Sequence, residues 1–285
     1  MNAITEPVAL IDAPCTIDGQ DIEAYHRGPG ISKTGLDHVA RSPALFYALH
    51  LDPARPAEKE RAGQLEGQLA HCAILEPAEF DKRYVVGPDV SRATKAWKEW
   101  EASLPAGVIA IKPDQRETAL RQAESVRRLP DVAEALAAGR PEVSAYWIDP
   151  DTGVLCRCRP DWVHPAGNNG VILLDVKTYS DASPAEFARQ VARKRYDVQA
   201  AFYTDGFARA SGLNVLAFVF VAVETDYPFS SSAVMLDEDS LDAGRRKYQS
   251  DLSRYADCLR SDVWPGYSTE IQVVRLPSWA MESDK

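Results

Sequence analysis

The chain reads as an α/β protein in which a helical front section precedes a mixed sheet flanked by helices. Three observations predict this. From Ser32 to about residue 138, apolar residues recur at helical spacing between cap and proline signals. Near Pro141 the period shortens to that of strands. Beyond it, β-type and helical runs alternate to about residue 260, as expected of a sheet with helices packed on it.

Residues 1–30 lack periodicity and end in Arg27-Gly28-Pro29-Gly30, so an arm or short hairpin is expected. Ser32 can cap a helix to about Ala40, and Ser42-Pro43 has the cap-then-proline start of another. A helix from about Arg61 to Leu75 is stopped by Pro77, and residues 94–103, 114–128 and 130–138 also read as helices. Glu142 to Ile148 and Val154 to Val163 read as strands joined by the turn at 149–153. His164 to Gly170 is a turn, and Val171 to Lys177 a third strand. Helices follow over about 184–194 and 197–211. Asn214 to Glu224 is almost wholly apolar, as in a strand covered on both faces. A strand near 232–236 and a helix over about 238–260 complete the pattern. The expected organisation is an arm (1–30) and one domain over 31–285, with a helical section at 31–140 and a sheet core at 141–285.

A chain of 285 residues can bury a core without disulfide staples. Five scattered cysteines, Cys15, Cys72, Cys156, Cys158 and Cys258, form no disulfide framework. Their spacing does not match a four-cysteine iron–sulfur site, so no cluster is expected, and Cys156 and Cys158 read as small residues packed on a strand. No run approaches the roughly 20 apolar residues of a membrane span. The opening MNAITEPVALIDAPC lacks the layout of a secretory signal, so a cytoplasmic location is expected. The net charge of −10 argues against a protein that coats nucleic acid through charge. It leaves room for an enzyme whose metal ions and local basic strip face the phosphates.

The chemistry concentrates in Arg159-Pro160-Asp161 and in Asp175-Val176-Lys177. Strand alternation points Asp175 and Lys177 the same way, and puts Arg157, Arg159 and Asp161 on one face and Cys156 and Cys158 on the other. An antiparallel pairing across the 164–170 turn can then bring Asp161 beside Asp175. Two carboxylates and an ammonium suit phosphodiester hydrolysis. Carboxylate oxygens hold Mg²⁺, the metal activates water, and the lysine orients that water or offsets charge on the phosphate. An Asp-x-Lys alone is more often a surface ion pair. Its place at the end of a buried strand, with an acid 14 positions upstream, favours function.

Gly67 and His71 lie one helical turn apart, where glycine permits close approach and the imidazole can ligate a metal. Gln199 and Tyr203 share the same spacing on the helix after Asp-x-Lys. For each pair, plain packing is the competing reading. Arg189, Arg193, Lys194 and Arg195 form a basic strip that can meet phosphates. Trp97 and Trp100, near Lys95 and Lys98, could stack on an unpaired base, but core packing is the better expectation.

The order G-x-x-x-H (67–71), Asp161, D-x-K (175–177) and Q-x-x-x-Y (199–203) resembles that of RecB-like PD-(D/E)xK nucleases. The stretches GQLAHCAILEPAEFDKRYVV and DASPAEFARQVARKRYDVQAAFYTDG look like the RecE (exonuclease VIII) nuclease domain, over roughly residues 25–265. The resemblance implies a PD-(D/E)xK, restriction-endonuclease-like core. It implies His71, Asp161 and Asp175 as metal ligands, with the Val176 backbone carbonyl, and Asp161, Asp175 and Lys177 as catalytic. It gives Gln199 and Tyr203 supporting or DNA-contacting roles; Arg159, Arg193 and Arg195 are expected beside them as DNA-binding or supporting residues on their charge. Glu142 corresponds to an acid often found near this site, although acids at strand edges are commonly just solvated. The implied activity is Mg²⁺-dependent (Mn²⁺ substituting) 5′ to 3′ exonucleolysis of linear duplex DNA. The resemblance further implies a homotetramer and pairing with a single-strand annealing protein in phage recombination. Alternatives are a structure-specific endonuclease of the same fold, or a non-catalytic DNA- or partner-binding module.

Overall fold

The computed structural model describes residues 13–56, 63–276 and 281. In the front section, Cys15–Ile17 is a short strand (β1) and Ile22–Arg27 a helix (α1). Ser32 caps α2 (Lys33–Arg41), and Ser42 caps α3 (Pro43–Phe46), which passes into a π-helical turn at Tyr47–Leu51. Then come α4 (Gln64–Leu75), α5 (Pro77–Arg83), β2 (Tyr84–Val86), α6 (Lys95–Glu101), β3 (Ile109–Ile111), α7 (Pro113–Arg127) and α8 (Pro130–Ala137). Pro77 ends α4 and, at the first position of α5, starts the next helix. Arg61, the expected start of α4, lies outside the described residues.

The second half holds β4 (Arg140–Pro141), β5 (Ser144–Ile148), β6 (Leu155–Cys158), β7 (Trp162–Pro165) and β8 (Gly170–Tyr179). It continues with α9 (Pro184–Lys194), α10 (Tyr196–Ser211), β9 (Asn214–Glu224), β10 (Ser231–Val234) and α11 (Glu238–Ser261). The expected architecture stands: a mixed sheet of order β10-β9-β8-β7-β4, flanked by helices, behind a helical region. β8 runs antiparallel to β7 and parallel to β9. A separate three-stranded sheet has the order β1-β5-β6.

Two expected strands depart from their bounds. The one expected over 142–148 begins only at Ser144, after a break at 142–143 that follows β4, and the one expected over 154–163 is broken between β6 and β7. Each break moves the chain from one sheet to the other. Pro160, which has no N–H for a ladder, lies in one break. Glu142, with φ +54°, lies in the other, and its N–H donates to the Asp161 carbonyl at 2.9 Å. Two acids therefore sit side by side where the sheets part.

β8 is buried on both faces, with its odd and even residues packed differently. Val171 and Leu173 join the core under α9, α10 and α11, while Leu174 and Val176 join the core under α4, α7 and α8. α11 lies so close on α10 that a Cβ on Gly244 would come 2.1 Å from the Asp197 carbonyl oxygen. Among the described residues no helix is long and apolar enough to cross a membrane.

Candidate active site

β7 begins only at Trp162, opposite Leu174, while the antiparallel β8 continues past this point to Tyr179. The Val176 N–H therefore has no strand beside it, and the Asp161 carboxylate accepts it at 2.7 Å. This bond holds Asp161 against the free edge of β8. His71 reaches the same carboxylate from α4, with Nδ1 3.4 Å from Asp161 Oδ2. Glu142 completes the group: one ligand atom each from His71, Glu142 and Asp161 lie within 4.8 Å of one another. Arg159 orients Glu142 through its Nε at 2.7 Å, and is itself fixed by the Gln20 carbonyl and the Ser144 hydroxyl.

Asp175 and Lys177 do share a face, toward α10. Lys177 is ion-paired with Asp175 Oδ1, and Gln199 from α10 donates to Asp175 Oδ2. The other side of Lys177 meets the face of Tyr196, whose ring centroid lies 5.0 Å from its Nζ. Tyr196 is locked in turn by its hydroxyl contact with Tyr179 and by stacking on Phe187.

The electrostatics follow from three acids in a mostly buried space. Burial, with Asp161 alongside, pushes the Glu142 carboxyl up to about 7 against the pull of Arg159. Burial and the Asp175 charge raise Asp161 despite Lys177 and the Val176 amide. Burial opposes the Lys177 ammonium, yet Asp175 and Asp161 outweigh it and hold its pKa above the ordinary value. Burial and Lys177 keep the His71 pKa low, favouring the neutral imidazole that can ligate a metal. Two carboxylates and an imidazole that can converge on one point form a cluster able to chelate a divalent ion. Gly67 adds open ground one turn before His71, since a Cβ there would meet nothing within 4 Å.

The match to a family model decides the identity of the fold: residues 32–277 fit a PDDEXK-like domain of unknown function, DUF3799. The chain belongs to this family. In this chain the Asp-x-Lys of residues 175–177 lies on β8, in the middle of the five-stranded sheet. The fold resembles the crystal structure of a Eubacterium rectale protein provisionally assigned as an exonuclease, at TM-score 0.58 and 12% identity over 91% of this chain and 94% of the other. Two other structures score lower and carry no weight. SSO0001 has TM-score 0.27 and 12% identity, covering 67% of this chain and 88% of that one. VC1899 from Vibrio cholerae has TM-score 0.22 and 11% identity, covering 81% and 57%. No curated protein matches the sequence.

The remaining sequence candidates are spread around this centre. Tyr203 packs its ring on Phe218 and Phe202, one turn beyond Gln199. Arg195 turns inward, paired with Asp251 and, at 3.3 Å, with Asp37, whereas Arg193 is exposed. Arg189 pairs with Glu186. Trp97 is fully buried beside Gly87 and cannot stack on a base. Cys156 and Cys158 are buried free thiols in the core beneath α10. Sequence reasoning gave Glu142 only a small direct part, because acids at strand edges are commonly just solvated. It missed Tyr196 altogether, although the residue stands one helical turn before Gln199.

Proposed function

We propose that this chain is a divalent-metal-dependent exodeoxyribonuclease that hydrolyses phosphodiester bonds of linear double-stranded DNA, from 5′ to 3′. The observation that carries the reading is the meeting of His71, Glu142 and Asp161 beside the Asp175–Lys177 pair, at the free edge of β8. These three residues would hold the ion, with Asp175 and the Val176 carbonyl as the further ligands that the RecE resemblance implies. When bound, such an ion polarises the phosphate and makes water a better nucleophile. Lys177, kept cationic by its acids and faced by Tyr196, offsets charge on the phosphate or orients the attacking water. Gln199 fixes Asp175 so that Lys177 has one position.

The motif order and the Eubacterium rectale structure support end-directed cleavage over internal nicking. A homotetramer, pairing with a single-strand annealing protein and service in phage-type recombination belong to this proposal through the RecE resemblance alone. Digestion of end-labelled linear duplex with Mg²⁺, with EDTA and Asp175→Ala as controls, tests the activity and its polarity together. Label should be released from 5′ ends only, and covalently closed circles should survive. Rapid nicking of circles would replace the reading with an endonuclease. Metal-independent binding without cleavage of any DNA would replace it with a binding module.

A further inference from the structure

Resting on the nuclease reading, we propose that a phosphate-binding track leaves the reaction centre past Lys33, turns the α9–α10 corner and ends in a basic groove on α11. It takes the sugar-phosphate backbone of DNA at a distance from the bond that is cut. The groove, of about 380 Å³, is lined by Arg195, Arg246, Lys247 and Ser250 among others. Arg246, Ser250 and Arg254 follow one another at i, i+4 and i+8, so they form a stripe along one face of α11.

Among the described residues, exposed cations that pair with no acid occur elsewhere too, Lys98 and Arg275 for example, but here four belong to the two segments that line one groove. On much of the surface, exposed cations are matched by an acid on the same helix: Lys95 by Glu99, Arg121 by Glu117, Arg128 by Glu124, Arg260 by Asp257. Arg193, Lys194, Arg246 and Arg254 are exposed and make no ion pair among the described residues. Arg193 and Lys194 directly precede Arg195, which lines the groove. Arg195 itself, with φ +55°, makes the corner and is pinned by Asp37 and Asp251. It shapes the wall and leaves its neighbours free to bind.

The link back to the chemistry is Lys33. Its ammonium bonds the Lys194 carbonyl at 2.8 Å and Asp37 at 2.7 Å, and lies 5.5 Å from the Tyr196 ring that also faces Lys177. The Lys33 ammonium thus sits between the Tyr196 ring and the backbone of Lys194, whose next residue, Arg195, lines the groove with Arg246. On a chain of net charge −10, a local stripe of this kind sets where a polyanion can approach. Its continuity with the reaction centre favours DNA over an acidic protein.

The test is fluorescence anisotropy with a labelled blunt duplex in EDTA, so that binding is read without cleavage. The double variant Arg246→Glu, Arg254→Glu should bind about tenfold more weakly, and the slope of log affinity against log salt should shrink by about 2. The double variant Arg116→Glu, Arg121→Glu makes the same change in net charge on α7 and should bind like the parent. Equal losses from both doubles, or none from the first, would overturn the track. So would loss of binding to labelled poly-glutamate with DNA binding intact, which would give the groove to an acidic protein. If the parent binds through this stripe but cuts nothing under Mg²⁺, the nuclease reading fails and the track stands. If it cuts and the variants bind unchanged, the track alone fails.

Discussion

Along the α10–α11 seam the buried Asp197 and Asp251 and the half-buried Asp205 each face a cation. Asp197 meets Lys247, Asp251 meets Arg195, and Asp205 accepts from Arg245 at 2.8 and 3.0 Å and from the Tyr248 hydroxyl at 2.6 Å. At the free edge of β8 the balance differs. Glu142 has Arg159 and Asp175 has Lys177, but Asp161 has only the Val176 amide and the His71 imidazole. One carboxylate is in excess where burial makes charge costly. A fold keeps such an imbalance where it is used, and a matched seam where it only has to hold together.

The largest expected effect separates the two regions at once. Asp161→Asn removes the excess charge but keeps an oxygen to accept the Val176 N–H. Cleavage of linear duplex should fall by about 10³-fold or more, while the metal-free protein melts no lower than the parent. Asp205→Ala should do the reverse. It strands Arg245 and the Tyr248 hydroxyl, and should cost about 1–2 kcal/mol in chemical denaturation while each folded molecule still cuts. If Asp161→Asn unfolded the protein as Asp205→Ala does, Asp161 would be one more structural acid and the contrast would be lost.

A smaller effect appears with pH. The Glu142 carboxyl is raised from 4.5 to about 7 on folding, so the folded metal-free chain holds this proton more tightly than the unfolded chain. Its contribution to stability is therefore greatest below pH 4.5 and is lost as pH rises to about 7. A bound divalent cation would favour the ionised acids and reverse the loss. The melting-temperature gap between Mg²⁺-loaded and EDTA-treated protein should widen from pH 5.5 to pH 8. A gap that stays constant would mean that Glu142 does not sense the ion.

The same contrast explains what the sequence made legible. α9 and β9 match their expected bounds because each is long, strongly patterned and ended by cap or turn residues. The shared face of Asp175 and Lys177 follows from alternation within one unbroken strand. Glu142 and Asp161 meet only because two strands break and change sheets, and a break has no period to read. Asp161 was found through its motif, while Glu142 looked like a solvated edge acid. β2 and β3, three residues each, pair in parallel across 22 intervening residues, which no local pattern encodes.

Two glycines give the finest test. Gly244 belongs to the seam, where an added Cβ would strike the Asp197 backbone. Gly244→Ala should cost about 1–3 kcal/mol, as overpacking does. Gly67 lies one turn before His71, at the end of the first turn of α4, where an added Cβ would meet nothing within 4 Å among the described residues. Glycine inside a helix is less stable than alanine by roughly 0.5–1 kcal/mol, so Gly67→Ala should raise the stability of the free protein by about that much. Among the described residues nothing asks for a glycine there, and we assign the demand to what approaches His71. Gly67→Leu should then fold as well as the parent yet bind and cut duplex more weakly, by a factor that grows with side-chain size. Equal cleavage by the glycine, alanine and leucine forms would show that the substrate does not pass over this turn of α4.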